Sequence, residues 1–140
     1  MKFDFMKKAL SFIVVFLSHT IFLFGQNSTD TTKINILVEV GDSLLINSHY
    51  SESQIKFEEA IALAKSIEEW EKVYWLEGKV IESLWRQFEL GKSLKRANRA
   101  LVTMKQYIKP DSFEEGVIIF QVGNISLLNG HYDSALTNYK

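Results

Sequence analysis

The sequence predicts an all-α fold: an α-solenoid of antiparallel helix pairs, about three repeats long with the last one truncated, preceded by a signal peptide. Three observations predict it. From Ile34 onward apolar residues recur at spacings of three and four, with no sustained apolar and polar alternation and no proline before Pro110. The segment INSHYSESQIKF at Ile46–Phe57 returns as LNGHYDSALTNY at Leu128–Tyr139, an offset of 82 residues. Ahead of both, Ala9 to Gly25 is an uncharged run rich in Phe, Ile, Val and Leu.

Lys2, Lys7 and Lys8 precede that run, so Met1–Gly25 reads as a secretory signal peptide with Gly25 before the cut. An uncleaved membrane anchor is the alternative, because 17 uncharged residues lie at the short edge of a spanning helix. No cysteine follows the run, which excludes a lipoprotein, and His19 falls within it. Cleavage would take the chain's 16 basic and 17 acidic side chains to 13 and 16, a formal charge of −3. The expected location is the periplasmic or extracellular side of a bacterial cell. Residues 26–33 read as a polar lead with Asp30 as a candidate helix cap, and residues 34–140 as the helical domain.

Within that domain, Leu90, Leu94, Ala97, Leu101, Met104 and Ile108 mark the core side of one helix, with Lys92, Lys95, Arg96 and Arg99 facing elsewhere. Leu90, Ser93, Ala97 and Ala100 also follow the spacing of Tyr50, Ser53, Phe57 and Ala60, which sets a period of about 40. Each copy is preceded by a helix with an interior glycine: Gly41, Gly78 and Gly123. Such a glycine costs roughly 1 kcal/mol against alanine, so its recurrence predicts close approach of a second helix. Small Ser53, Ser93 and Ala135 are the expected facing residues. The middle copy is expected to carry a longer turn, from Trp85 to Glu89. Pro110, Asp111 and Ser112, with Glu115 three residues after Ser112, predict a break and a capping box opening the third pair. Lys140 follows Tyr139 in mid-helix without a polar capping helix, so the chain reads as the N-terminal part of a longer protein.

Over roughly Ile34 to Lys140 these positions resemble the tetratricopeptide repeat (TPR) family. The family pattern is met by Ile119, Gly123, Gly130, Tyr132, Ala135 and Tyr139, and again by Gly41, Tyr50, Ser53, Phe57 and Ala60; the middle copy has Leu90 in place of the aromatic. The resemblance implies that the first helix of each pair lines a concave groove. It places Val38, Asp42, Trp75, Lys79, Phe120 and Asn124 there as candidate partner-binding residues. Some cytoplasmic members grip a peptide's terminal carboxylate with lysine and asparagine on this surface; Val38 and Asp42 occupy the first corresponding positions, so that grip is not expected. The stretch from Glu68 to Leu101 is also similar to the leading repeats of bacterial CHAT-domain (caspase-like) proteins and to extracytoplasmic repeats of some sensor histidine kinases. That similarity implies an alternative function: a sensing or substrate-positioning region for a catalytic domain beyond residue 140.

No catalysis, metal or cofactor is expected in this segment. Without cysteine there is no thiol nucleophile, disulfide framework or thiolate metal site. His49 and His131 recur 82 residues apart at one turn position, so repeat identity accounts for them. Glu58, Glu59, Glu68, Glu69, Glu71, Glu77 and Glu82 alternate with Lys56, Lys65, Lys72 and Lys79, which reads as helix-surface charge. The glycines stand singly, so no phosphate-cradling loop is present.

Charge is uneven: Arg86–Lys109 holds seven basic residues and one acid, Glu52–Glu82 eight acids and four lysines. A solvated face explains this, and a sharper reading is a basic stripe that steers an acidic partner. Trp70, Tyr74, Trp75 and Trp85 read as interhelical packing. The expected function is an exported scaffold that holds a protein, as a peptide or a partner helix, in the groove. Nucleic acid is not an expected partner, and a membrane is one only if the N-terminal segment stays uncleaved or a later span exists.

Overall fold

The computed structural model describes residues 29–138; the expected signal peptide, the first residues of the polar lead, Tyr139 and Lys140 lie outside the described residues. Six helices run through them: α1 (29–46), α2 (Tyr50–Ser66), α3 (Trp70–Arg86), α4 (Leu90–Met104), α5 (Phe113–Leu128) and α6 (Tyr132–Asn138). Residues 29–33 are already helical, so Asp30 lies inside α1 and does not cap it. The helices pack as antiparallel pairs in two layers. α1 and α5 flank α3, through the Asp42–Lys79 ion pair on one side and Val117 against Gly78 on the other. Arg96 on α4 reaches Glu58 on α2 in the second layer, and α6 packs on α5.

Apolar spacing decides which face each helix buries. α2 buries Phe57, Ala60, Ile61 and Ala64. α3 lies at the centre and buries Val73, Tyr74, Leu76, Val80, Ile81 and Leu84. Along α4 the predicted seam holds, with Ala97 and Met104 buried and Leu90, Leu94 and Leu101 packing against the core from its edge; Ile108 is buried as well but lies past the end of the helix, on the connection to α5. Each large side chain buried this way contributes about 1.5–3 kcal/mol.

One turn design joins the first four helices. Ser48, Glu68 and Phe88 each adopt a left-handed φ, 64°, 59° and 60°, at intervals of 20 residues. In each turn two backbone bonds close the outgoing helix, as His49 N–H donating to Leu44 and Ser48 N–H to Leu45 illustrate. The carbonyl of that same His49 then accepts from Ser53 N–H and opens the next helix. Glu69 and Glu89 play the double role at their turns, as does His131 after Gly130 (φ 75°). The chain thus tolerates about 1–2 kcal/mol of left-handed strain at each non-glycine position to hold a three-residue turn. The Trp85–Glu89 turn is therefore not longer than the others: Gln87, Phe88 and Glu89 match Asn47, Ser48 and His49. A bulky aromatic at the left-handed position concealed this in the sequence.

The same comparison corrects the register of the middle copy. Ser53 Oγ donates to the Gly41 carbonyl at 2.9 Å, and Ser93 Oγ donates to the Ile81 carbonyl at 2.9 Å. The counterpart of Gly41 is therefore Ile81, 40 residues on, and not Gly78. Gly41 meets its own pair partner, since a Cβ there would lie 2.6 Å from the Phe57 ring. Gly78 serves a different approach: its Cβ would lie 2.6 Å from Val117 Cγ1 on α5, the next pair.

Between α4 and α5 the chain departs from the 20-residue rhythm. Tyr107 stacks on Trp70 with ring centroids 3.8 Å apart, and Ile108 is buried, which fixes this longer connection. Ser112 caps α5 as expected, its Oγ accepting from Glu115 N–H at 3.2 Å. Glu115 returns a bond to the Asp111 N–H at 2.8 Å, one residue earlier than a strict capping box.

Candidate partner-binding groove

Because α1, α3 and α5 lie side by side, the first helix of each pair contributes to one continuous face. Two of the shallow depressions among the described residues lie along it. One, of about 460 Å³, lies between α3 and α5 and is lined by Trp75, Gly78, Phe113, Val117 and Phe120. The other, of about 360 Å³, lies between α1 and α3 against Asp42, Ile46, Tyr50 and Arg86. Lys79 and Glu82 border both.

Gly78 and Val117, in close contact between α3 and α5, both line the first depression. Aromatic surface surrounds it. Phe113 is 70% exposed and Phe120 52% exposed, which is unusual for phenylalanine on a helix otherwise packed to a core. Trp75 stands between two ammonium groups, Lys72 Nζ at 5.3 Å and Lys79 Nζ at 5.1 Å from its ring centre. Lys79 also pairs with Asp42 at 2.9 Å. Below, Trp85 Nε1–H donates to Gln121 Oε1 at 2.8 Å, and Asn124 Nδ2 donates to the same oxygen at 3.3 Å.

The residues singled out by sequence are thus distributed as follows. Asp42, Lys79 and Trp75 form one connected cluster, with Phe120 across the depression from it. Asn124 sits further along α5, bonded to Gln121. Val38 packs against the core from its edge. The aromatic group divides: Trp70 and Tyr74 hold Tyr107 of the α4–α5 connection, Trp85 joins α3 to α5, and Trp75 faces the depression.

Sequence reading missed one polar centre. Arg96 lies half-buried between two carboxylates: its Nε donates to Glu77 Oε2 at 2.6 Å, and its terminal nitrogens bond both oxygens of Glu58. Burial opposes its charge, yet the hydrogen bonds to Glu58 and the attraction of Glu77 outweigh it and raise its pKa above the ordinary arginine value. Three helices are tied at this point. The signal was present, because Glu77 shares the face of Val73, Val80, Ile81 and Leu84, where a carboxylate needs a partner. Burial also holds the Tyr74 hydroxyl above the ordinary tyrosine pKa, offset in part by the neighbouring Thr103 side chain. Among the described residues no group of three or more His, Asp or Glu side chains is arranged to hold a metal ion, and no helix is long and apolar enough to cross a membrane.

No family model matches the sequence, and no curated protein matches it. Among solved structures, the chain is similar to the TPR domain of Arabidopsis FLU, with a TM-score of 0.65 and 15% identity over 79% of this chain and 91% of that one. The fold is therefore that of a TPR domain: all-helical repeats in antiparallel pairs.

Proposed function

We propose that this chain is an exported, non-catalytic protein-interaction scaffold that holds an extended peptide or a partner helix along the face of α1, α3 and α5. The observation that carries this reading is the depression between α3 and α5, where Phe113 and Phe120 are exposed beside Trp75. Exposed aromatic surface around a pocket, rimmed by charged Lys79 and Glu82, is the composition of a site that anchors an apolar side chain and orients the rest by polar contacts. A TPR-like fold supports the scaffold reading, since stacked repeats present extended binding surfaces. Export rests on the lysine-led uncharged run at Met1–Gly25.

Panning a displayed peptide library on the chain tests the groove. Selected peptides should lose at least tenfold in affinity for a Trp75→Ala/Phe120→Ala variant that keeps its helicity. Undiminished binding by that variant would remove the assignment. Residues 1–25 fused to a reporter that is active only after secretion test export separately.

A further inference from the structure

We propose that the outward face of α4 is a second docking surface, on the opposite layer from the groove, and that it fits an acidic amphipathic helix of a partner protein. Lys95, Arg99 and Val102 follow at i, i+4 and i+7, so they share one face of the helix. That face is opposite the buried Ser93, Ala97, Ala100 and Met104. All three residues are exposed, Val102 at 68%. Lys105 and Lys109 extend the row beyond the helix, on a connection fixed by Tyr107 stacking on Trp70 and by buried Ile108.

These cations differ from those around them. On α4 itself Lys92 and Arg96 each hold a carboxylate, whereas Lys95 and Arg99, and Lys105 and Lys109 after them, form no ion pair among the described residues. Glu58 and Glu77 are engaged by Arg96, and Glu89 by Lys92. Lys95 and Arg99, one turn apart, repel each other until an anionic partner lies across them.

The row selects its partner by shape. From Lys95 to Lys105 it is one helix wide and about 15 Å long. A helix with acids one turn apart and an apolar residue opposite Val102 matches it along this length. A lipid surface fits less well, because exposed Glu52 and Glu59 on α2 and Asp133 on α6 lie in the same layer and would meet the phosphates. Exposed ion pairs are individually weak and screened, so several must act together and binding must fall steeply with salt.

Fluorescence anisotropy with the full chain tests this. The probe is a labelled helical peptide carrying glutamate at i, i+4 and i+11 around a leucine at i+7, beside a permuted peptide of equal composition. Expected are binding of the ordered peptide only, about tenfold weaker at physiological than at low salt, and at least tenfold weaker for Lys95→Ala/Arg99→Ala. Val102→Ser should weaken it severalfold, and circular dichroism should show both variants folded, since these side chains touch solvent. Equal affinity for the permuted peptide would overturn the proposal, as would preference for phosphatidylglycerol vesicles. So would sedimentation showing that the row pairs two copies of this chain.

Discussion

The Ser53 hydroxyl donates to the carbonyl of Gly41 at 2.9 Å across the α1–α2 interface, twelve residues upstream. Ser93 repeats the bond on Ile81 at 2.9 Å, so a buried hydroxyl marks the same point of two successive pairs. Ser53→Ala removes a bond without adding bulk and should cost about 1 kcal/mol, measured as a lower urea midpoint at constant slope.

Gly41 and Gly116 are both helical glycines, and alanine should act on them in opposite directions. At Gly41 the new methyl would sit 2.6 Å from the fully buried Phe57 ring, so overpacking of about 1–3 kcal/mol exceeds the helix-propensity gain. At Gly116 nothing lies within 4 Å, and Gly116→Ala should stabilise by up to about 1 kcal/mol. Thermal denaturation of the two single variants distinguishes them by sign.

Removing Arg96 leaves Glu77, only 10% exposed, without its counter-charge. Arg96→Met should lose about 3 kcal/mol, whereas Arg96→Met/Glu77→Leu should recover at least half of that loss. A double variant no more stable than the single one would show that the ion pair itself, and not the orphaned carboxylate, dominates.

Tyr74 gives a pH dependence whose sign is fixed. Its pKa in the fold lies above the unfolded value, so the folded state retains the phenolic proton more strongly. The resulting stability is complete below the ordinary tyrosine value of 10 and is lost as pH rises through the folded value. Thermal midpoints of the parent chain should fall more steeply above pH 10 than those of Tyr74→Phe.

What could be read from the sequence followed from which signals survive in one dimension. The α4 seam and the Ser112 cap depend on residue type at short spacing, and both are found where the pattern put them. The register of the middle copy was obscured because glycine serves two purposes here. Gly41 admits Phe57 of its own pair, while Gly78 admits Val117 of the next, and a list of glycines does not separate the two. The regular turn at Phe88 was hidden for a related reason: its left-handed residue is an aromatic and not glycine or asparagine. At the groove, the link between Asp42 and Lys79 depends on α1 lying beside α3, which no local spacing reports.

The shared turn residue also governs where the chain can change length. His49, Glu69 and Glu89 each close one helix with the amide and open the next with the carbonyl. One inserted residue there would rotate everything after it by about 100° and turn core positions outward. The connection between Met104 and Phe113 carries no such double role, and Lys109, Pro110 and Asp111 on it are exposed. Insertions and deletions should therefore accumulate at that connection in related chains, while the three tight turns keep a fixed length.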